Sequence, residues 1–595
     1  METYDPDLKA RGCGAHRDGR ITGVAVATQA GFRRYYPVGH ECGENLPREK
    51  VLAWLQEQLL LPVPKVGARL QYDLEFLAAA GVKSAGPYYD VQNAEPLLDE
   101  SRFRYGLEDL AQDYLGVGKL GEEMDAWLVA KFGKKNPRNN IWRAPPEVVA
   151  PYALSDVDLP LRIFFEHQKP ELEKQNLWKL FELESKLIPI LVAMRRRGVR
   201  VDLDRAQQAY DDTGKRYDEC IEEIRRLSDK TVAPWKAADV AQVFDARGLT
   251  YPLTPKTQKP SVTKELLDQC EDPVAALILE ARRLDKMRGT FLQGCILEGH
   301  WEGRVHSTFN QLKNEEARGT VSGRFSSQGP NLQFIPVRTE EGKKIRSMFV
   351  PDGGFWWKLD WSQIEYRLIV HDAVCLGLSG AEEVAEEYRT NPDADFHAKV
   401  ADMVGISRTF AKTINFGLAY GEGVVKLSRQ LGLPMSEAED LLGQYHRRAP
   451  FIRPLANKLM RDAIVDGIVR TLLNRCRRFD VWERKNWNTG EVLYTPHRIP
   501  GSRRAFTHKA LNARIQGGAA DIMKQAMVDV WESGVCRVLG VPQLTVHDEL
   551  DGSAPDTAEG REAVAEMKRI METCVTLKVP LKVDLSTGPN WGEAA

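Results

Sequence analysis

Cysteine is scarce and unpatterned in this 595-residue chain. Its nine cysteines form no C-x-x-C pair, so nothing points to a zinc finger or a disulfide framework, and a reducing compartment fits. Long hydrophobic runs are missing too, none reaching the roughly 18 residues that span a bilayer. The opening Met1-Glu2-Thr3-Tyr4-Asp5 lacks the basic and apolar regions of a signal peptide. The expectation is a soluble, intracellular protein without membrane contact. Nor is there an excess of one charge. With 82 Lys and Arg against 84 Asp and Glu the net charge is −2, which argues against a uniformly basic coat and confines any phosphate-binding surface to local patches. No internal repeat or low-complexity tract is visible.

What is present is organised in blocks, three or four of them at ~150 residues each. Ile21-Thr-Gly-Val-Ala-Val-Ala27 and Tyr35-Tyr-Pro-Val38 read as strands, with helical stretches near 51–60 and 107–114, so the first block looks like a separate α/β domain. From about Pro170 the pattern becomes a long amphipathic helix with Leu183, Leu187, Ile190, Leu191 and Met194 on one face, ending at Gly198. A mainly helical region runs to about Arg288, and strand signals return beyond Gly303. A second helical block covers about 394–469, and a long helix near 512–531 joins short strands at the end. Basic residues cluster at 195–197, at Lys343, Lys344 and Arg346, and at Arg475, Arg477 and Arg478. Such clusters are solvated faces about twice as often as phosphate sites.

Three segments carry chemistry. Phe355-Trp-Trp-Lys-Leu359 is apolar enough for a buried strand and delivers Asp360 to its end. Alone, Asp360 reads equally well as the N-cap of a helix over 362–370. Leu544-Thr-Val546, His547-Asp548-Glu549 and Leu550-Asp-Gly552 read as a tight hairpin, where an Asp suits the turn for purely local reasons. Jointly, two strand-end carboxylates can bridge two Mg²⁺ roughly 3.5 to 4 Å apart, one activating an attacking hydroxyl and one stabilising the leaving oxygen. Between them, four-residue steps place Arg408, Lys412, Phe416 and Tyr420 on one helical stripe. Two cations there can neutralise a triphosphate, and the rings offer flat faces to a base or sugar. The plainer alternative is an amphipathic helix with Phe and Tyr in a core. The constellation predicts a nucleotidyl transferase acting on a polymer.

From about Glu184 to Trp591 the chain resembles the family A DNA polymerases, the DNA polymerase I family, and its phage branch more than its longer bacterial members. The matching motifs are Ser322-Gly-Arg324, Pro330-Asn331-Leu-Gln333, Asp360-Trp361-Ser-Gln363-Ile-Glu365, the 408–421 helix, Asn512-Ala-Arg-Ile-Gln516, His547-Asp548-Glu549 and Asn590-Trp591. The resemblance implies that Asp360, Asp548 and the Trp361 backbone carbonyl hold two Mg²⁺, with Mn²⁺ as a substitute, and that Glu549 belongs to the catalytic set. Arg408, Lys412, His397 and Gln363 would serve the incoming dNTP, and Lys412 would also protonate the leaving pyrophosphate. Glu365 would be a steric gate that rejects ribose by clash, which separates the chain from the related single-subunit RNA polymerases. Tyr420 would sit by the templating base, and Phe416 in place of Tyr implies discrimination against dideoxynucleotides. Arg324, Asn331, Gln333, Asn512, Gln516 and His547 would contact DNA, Arg324 and Gln516 along the minor groove and His547 near the primer end. Trp361 replaces a common Tyr. His508 stands where bacterial members carry a duplex-contacting Arg, which leaves that contact open.

The opening block resembles a 3′-5′ proofreading exonuclease, which needs four carboxylates and a tyrosine, beginning with Asp-x-Glu-Thr on its first strand. Against Met1-Glu2-Thr3 the matching Asp would lie just before Met1; the strand bearing it is expected to be missing, with Glu2 at a fraying end. Asp73, Tyr152 and Asp156 match the later motifs. Arg69 stands where the family has Asn, and a guanidinium there competes with a metal cation. Little or no proofreading is expected.

The expected fold is multidomain α/β and α+β: an RNase H-like 3′-5′ exonuclease domain over 1–170, then a right-hand polymerase with thumb over 180–300, palm over 301–395 and 501–595, and fingers over 396–500. The expected protein is a monomer acting on primer-template DNA and dNTPs, with replisome proteins as candidate partners, in the cytoplasm, or the host cytoplasm if viral. Two other classes stay open: a non-catalytic DNA-binding scaffold, against which the intact Asp360 and Asp548 argue, and a nuclease acting through residues 1–165.

Overall fold

The computed structural model describes residues 1–313, 319–337, 339–404, 408, 411, 417, 423–486 and 489–594. Two compact units emerge: the first comprises Met1–Arg197, Phe309–Ser327 and Lys358–Ser586, the second Gly198–Thr308, Gln328–Trp357 and Thr587–Ala595.

In the first unit β1 (Glu2–Tyr4), β2 (Arg20–Ala27) and β3 (Arg33–Pro37) form an antiparallel sheet in that order. Ile21 and Val24 of β2 share one core with Leu74 and Phe76 of helix α1 (Leu70–Ala79), and with Ile188 and Val192 beyond them. Helix α2 (Pro146–Arg162) packs on β2. The last two core residues belong to α3 (Trp178–Arg197), whose apolar stripe is the one read from the sequence. One expectation is corrected here. The strand bearing Glu2 is present: Glu2 lies opposite Gly23 and Thr3 opposite Ile21, and the Thr3 and Tyr72 hydroxyls share a 2.7 Å hydrogen bond.

The site-bearing sheet follows. β4 (Phe355–Trp361) runs into α4 (Ile364–Cys375). Two hairpin strands, β5 (Ile468–Arg470) and β6 (Cys476–Arg478), precede a small exposed sheet of β7 (Trp482–Lys485), β8 (Val492–Thr495) and β9 (Arg503–Arg504). The long helix α5 (Ala510–Ser533) leads to β10 (Leu544–Val546), β11 (Glu549–Ala554) and β12 (Val583–Gly588), and the sheet order is β10-β11-β4-β12. Val546 pairs with Glu549, leaving His547 and Asp548 as a two-residue turn. His547 takes φ 58°, the left-handed conformation that such turns demand at their first central residue.

The basic clusters are not simply solvated faces. Arg195 is buried against Glu75 and donates to the Cys13 carbonyl at 2.8 Å. Arg475 is buried between Glu184 of α3, at 2.6 Å, and Asp521 of α5, at 2.8 Å; Lys524 of α5 reaches the same Glu184 oxygen at 2.7 Å. Burial of a charge is tolerated because each is paired and hydrogen-bonded. A sequence window cannot reveal this, since the partners lie 46 to 340 positions away.

In the second unit the helices Leu203–Ser228 and Pro273–Lys286 close over Ile224, Val240, Phe244 and Ile278. Its Arg346 is buried as well, 4.0 Å from the Trp591 ring centroid, and donates to the Ile335 carbonyl. Among the described residues no helix is long and apolar enough to cross a membrane.

Candidate active site

Asp360 lies inside β4, not at a helix cap; α4 begins at Ile364 and Gln363 is the residue that precedes it. The Trp361 N–H donates to the Asp548 carbonyl at 3.2 Å. This bond ties the end of β4 to the β10–β11 turn and brings Asp360 and Asp548 off neighbouring strand ends, both half-buried. Glu549 is buried and paired with Lys358 at 2.7 Å. Burial alone would lower the Lys358 pKa, but the Glu549 charge and hydrogen bond outweigh it and hold it above its ordinary value. Lys358 was missed by sequence reasoning, although its spacing of two from Asp360 puts both on one face of the strand.

Arg324 bridges two of the expected site residues, donating to Glu365 at 2.6 Å and to Asp548 at 3.4 Å. Its position depends on Gly323, which adopts φ +84° and faces the Arg475 side chain so closely that a Cβ would stand 2.6 Å from Nε. Only glycine meets both demands. Similarly, a Cβ on Gly517 of α5 would stand 2.5 Å from the Thr471 methyl, so α5 approaches the β5–β6 hairpin at backbone distance. Asn512 and Gln516 on the first turns of α5 are half-buried; the Asn512 Oδ1 is buried and finds no hydrogen-bond partner among the described residues. His547 is exposed.

Gln363 accepts from the Phe396 N–H and the Tyr388 hydroxyl, each at 3.2 Å, and donates to the Ala394 carbonyl at 3.1 Å. It therefore anchors the segment leading to His397. Arg367, which the sequence did not single out, is fully buried and donates to the carbonyls of Ser362, Pro580 and Pro392 at 2.7 to 2.9 Å. Three irregular segments thus hang on one guanidinium. Arg408 is exposed and paired with Asp395. Lys412, Phe416 and Tyr420 lie outside the described residues, as does the His397 side chain. Asn331 and Gln333 belong to the second unit, where the Asn331 side chain accepts from the Gln333 N–H at 3.0 Å and caps a short helical turn.

In the N-terminal sheet region Glu2, Asp73, Tyr152 and Asp156 all line one cavity of about 1900 Å³, together with Arg69, Lys119 and Arg138. Burial pushes the Glu2 carboxyl up to about 7. Lys119 sits on Asp156 at 2.7 Å and on the Tyr152 hydroxyl at 3.0 Å. Burial raises the Asp156 carboxyl despite that ammonium. Arg69 holds a left-handed backbone just before α1.

Among the described residues no three His, Cys, Asp or Glu side chains gather as a metal site. The Asp360–Asp548 pair nevertheless fits a hard divalent cation. Two carboxylates and a carbonyl form an all-oxygen donor set, and Mg²⁺ is characteristically held by one or two carboxylates with substrate phosphates and water completing the shell.

Residues 203–593 match the family model described as DNA polymerase family A. The chain belongs to DNA polymerase family A. Residues 12–170 of the polymerase match the model described as 3′-5′ exonuclease, so an exonuclease domain precedes the polymerase domain. The "DNA-directed DNA polymerase" of Pseudomonas phage M6 is 35% identical over 100% of this chain and 93% of its own length. DNA polymerase I of Chloroflexus aurantiacus is 31% identical over 96% of this chain but 59% of its own. Phage relatives are thus matched over nearly their whole length, in keeping with the phage branch. Among solved structures, the POL domain of Pol1 from M. smegmatis, in complex with DNA primer-template and dNTP, aligns with TM-score 0.76 and 26% identity over 97% of this chain and 94% of that one. The polymerase is a DNA-directed DNA polymerase, of a family whose members generally use divalent metal ions.

Proposed function

We propose that the polymerase extends a primer 3′ hydroxyl with dNTPs on a DNA template by a two-metal mechanism. The observation that carries this reading is the bond from the Trp361 N–H to the Asp548 carbonyl, which joins the strand end bearing Asp360 to the turn bearing Asp548. Asp360, Asp548 and the Trp361 carbonyl would hold two Mg²⁺, or Mn²⁺ in substitution. When bound, these ions supply acidification of the primer hydroxyl and charge neutralisation at the phosphates. The 3′ oxygen attacks the α-phosphorus in line, the bond to the bridging oxygen breaks and pyrophosphate leaves. Arg408, Lys412 and His397 bind the triphosphate, and Lys412 passes a proton to the leaving pyrophosphate. Gln363 contributes by positioning the 394–396 segment. Glu365, held by Arg324, closes against the 2′ position of the sugar. Tyr420 and Phe416 flank the nascent pair, and Asn512, Gln516, His547, Asn331 and Gln333 meet the DNA. The buried, unmatched Asn512 Oδ1 suits a donor on the nucleic acid.

In this reading residues 1–170 form the exonuclease domain, 180–300 the thumb, 301–395 and 501–595 the palm and 396–500 the fingers. The protein works as a cytoplasmic monomer with replisome partners. Primer-template and dNTP are what the M. smegmatis neighbour holds, which supports the same ligands here. Proofreading is crippled by cations among the carboxylates: Lys119 occupies Asp156 and Arg69 replaces the family's Asn.

Extension of a primed template in Mg²⁺, comparing the parent chain with Asp360→Ala and Asp548→Ala, tests the polymerase reading. Activity in the parent and its loss in both variants is expected; equal extension by all three would sink it. Shortening of a labelled primer without dNTPs tests the exonuclease. Slow shortening by the parent, quickened in Lys119→Met with Arg69→Asn, is expected, and rapid shortening by the parent would overturn the proposed defect.

A further inference from the structure

The small sheet of β7, β8 and β9 meets water on both faces. Successive strand residues point to opposite sides, yet Val492, Leu493 and Tyr494 of the edge strand β8 are all exposed, at 41, 50 and 50%. Apolar groups left uncovered on an edge mark a binding surface or an aggregation hazard. The surrounding charge decides between them. Residues 481–509 carry six Lys and Arg against two Asp and Glu, in a chain whose net charge is −2. Self-association through this edge would bring like charges together, whereas a polyanion is attracted.

Cross-strand register sorts the side chains. Glu483 lies opposite both Tyr494 and Arg503, and Lys485 opposite Val492, so Lys485, Val492, Tyr494 and Arg503 share one face. On it the Tyr494 ring stacks on Phe506 with centroids 5.3 Å apart and planes 10° from parallel. Phe506 is 38% exposed, and the Lys509 ammonium lies 4.9 Å from its centroid. Arg503 pairs with Glu483 at 2.8 Å, but its side chain remains 82% exposed.

We propose that this face is an accessory platform for single-stranded DNA, with unpaired bases stacking on the Tyr494–Phe506 pair and phosphates meeting Arg503, Lys485 and Lys509. That DNA is the ligand rests on the polymerase reading; the platform itself rests on the exposed stack and the local positive charge. Aromatic faces with interleaved cations suit single strands in particular, because a paired base has its faces already stacked.

The test uses the full-length protein with its main cleft saturated by unlabelled primer-template duplex. Anisotropy of a fluorescent 15-mer of thymidylate is measured for the parent, for Tyr494→Ala with Phe506→Ala, and for Arg503→Ala with Lys485→Ala. The aromatic variant should bind about tenfold more weakly with an unchanged salt slope. The basic variant should show a shallower slope, because fewer counterions are released. An oligonucleotide bearing 5-iododeoxyuridine should photocrosslink to Tyr494 or Phe506 in the parent. Both variants should still extend a short-overhang primer, which shows that they fold and separates this proposal from the polymerase reading. Undiminished affinity in the aromatic variant, or crosslinks confined to other segments, would overturn the proposal. So would sedimentation showing that the parent self-associates through this face and the aromatic variant does not.

Discussion

One guanidinium nitrogen of Arg324 donates to both Glu365, at 2.6 Å, and Asp548, at 3.4 Å. A residue of the Ser322-Gly-Arg324 motif therefore ties the proposed steric gate to the turn that carries Asp548. Charge-assisted hydrogen bonds of this kind are short and fix orientation.

Replacing Arg324 with Met should release Glu365 from that anchor. A lost hydrogen bond to a charged partner costs about 1.5–3 kcal/mol, so kcat/KM for dNTPs should fall roughly ten- to a hundredfold. Selection against ribonucleotides should weaken along with it. Steady-state incorporation of dNTP and rNTP on one template checks both; unaltered sugar selection would show that Glu365 is held by other contacts.

Gly323→Ala should impair the enzyme without removing its fold. The new methyl would stand 2.6 Å from Arg475 Nε in a backbone with φ +84°, and strain of this kind costs ~1–3 kcal/mol. The turn must shift, and Arg324 moves with it. Thermal melting should drop by a few degrees, while primer extension falls at least tenfold. Full activity in a well-folded Gly323→Ala would disconnect Arg475 from the site.

Glu184→Gln should destabilise the protein, because it leaves Arg475 and Lys524 buried with too little negative charge; breaking a buried pair costs about 3–5 kcal/mol. Burial alone would raise the Glu184 carboxyl, but Lys524 and Arg475 outweigh it and hold it below its ordinary 4.5. A depressed carboxyl contributes stability above its unfolded pKa and loses it as pH falls through the folded value. The parent's advantage in denaturant melts should thus be full at neutral pH and shrink below pH 4.5. A gap independent of pH would mean that packing alone is responsible.

Phe416→Tyr should relax discrimination against dideoxynucleotides, as the family resemblance implies. Competition between ddNTP and dNTP in a sequencing ladder checks it, and an unchanged termination frequency rejects the assignment.

Much of the site was legible in the sequence because its chemistry sits in short local patterns. A buried apolar run ending in Asp360, and a hairpin whose turn is His547-Asp548, are each encoded by a few adjacent residues, and the strands form as those patterns require. The order of the motifs was sufficient to assign the family. The same local logic failed wherever a charge finds a distant partner. Arg475 and Arg195 look like surface cations in any window of sequence, yet each is buried on a carboxylate far away in the chain. Glu2 looked like a frayed end, but β2 supplies the strand pairing that a terminal segment cannot supply for itself.

The sequence by itself determined the strand and turn that carry Asp360 and Asp548, and the family, since residue identity and spacing carry that information directly. Only the tertiary structure decided that Arg324 lies between Glu365 and Asp548, that Lys358 neutralises Glu549, and that Val492, Leu493 and Tyr494 stay open to solvent. The physical reason is that Coulomb and hydrogen-bond energies depend on separations of a few ångströms in space, and the fold alone sets those separations between residues remote in sequence.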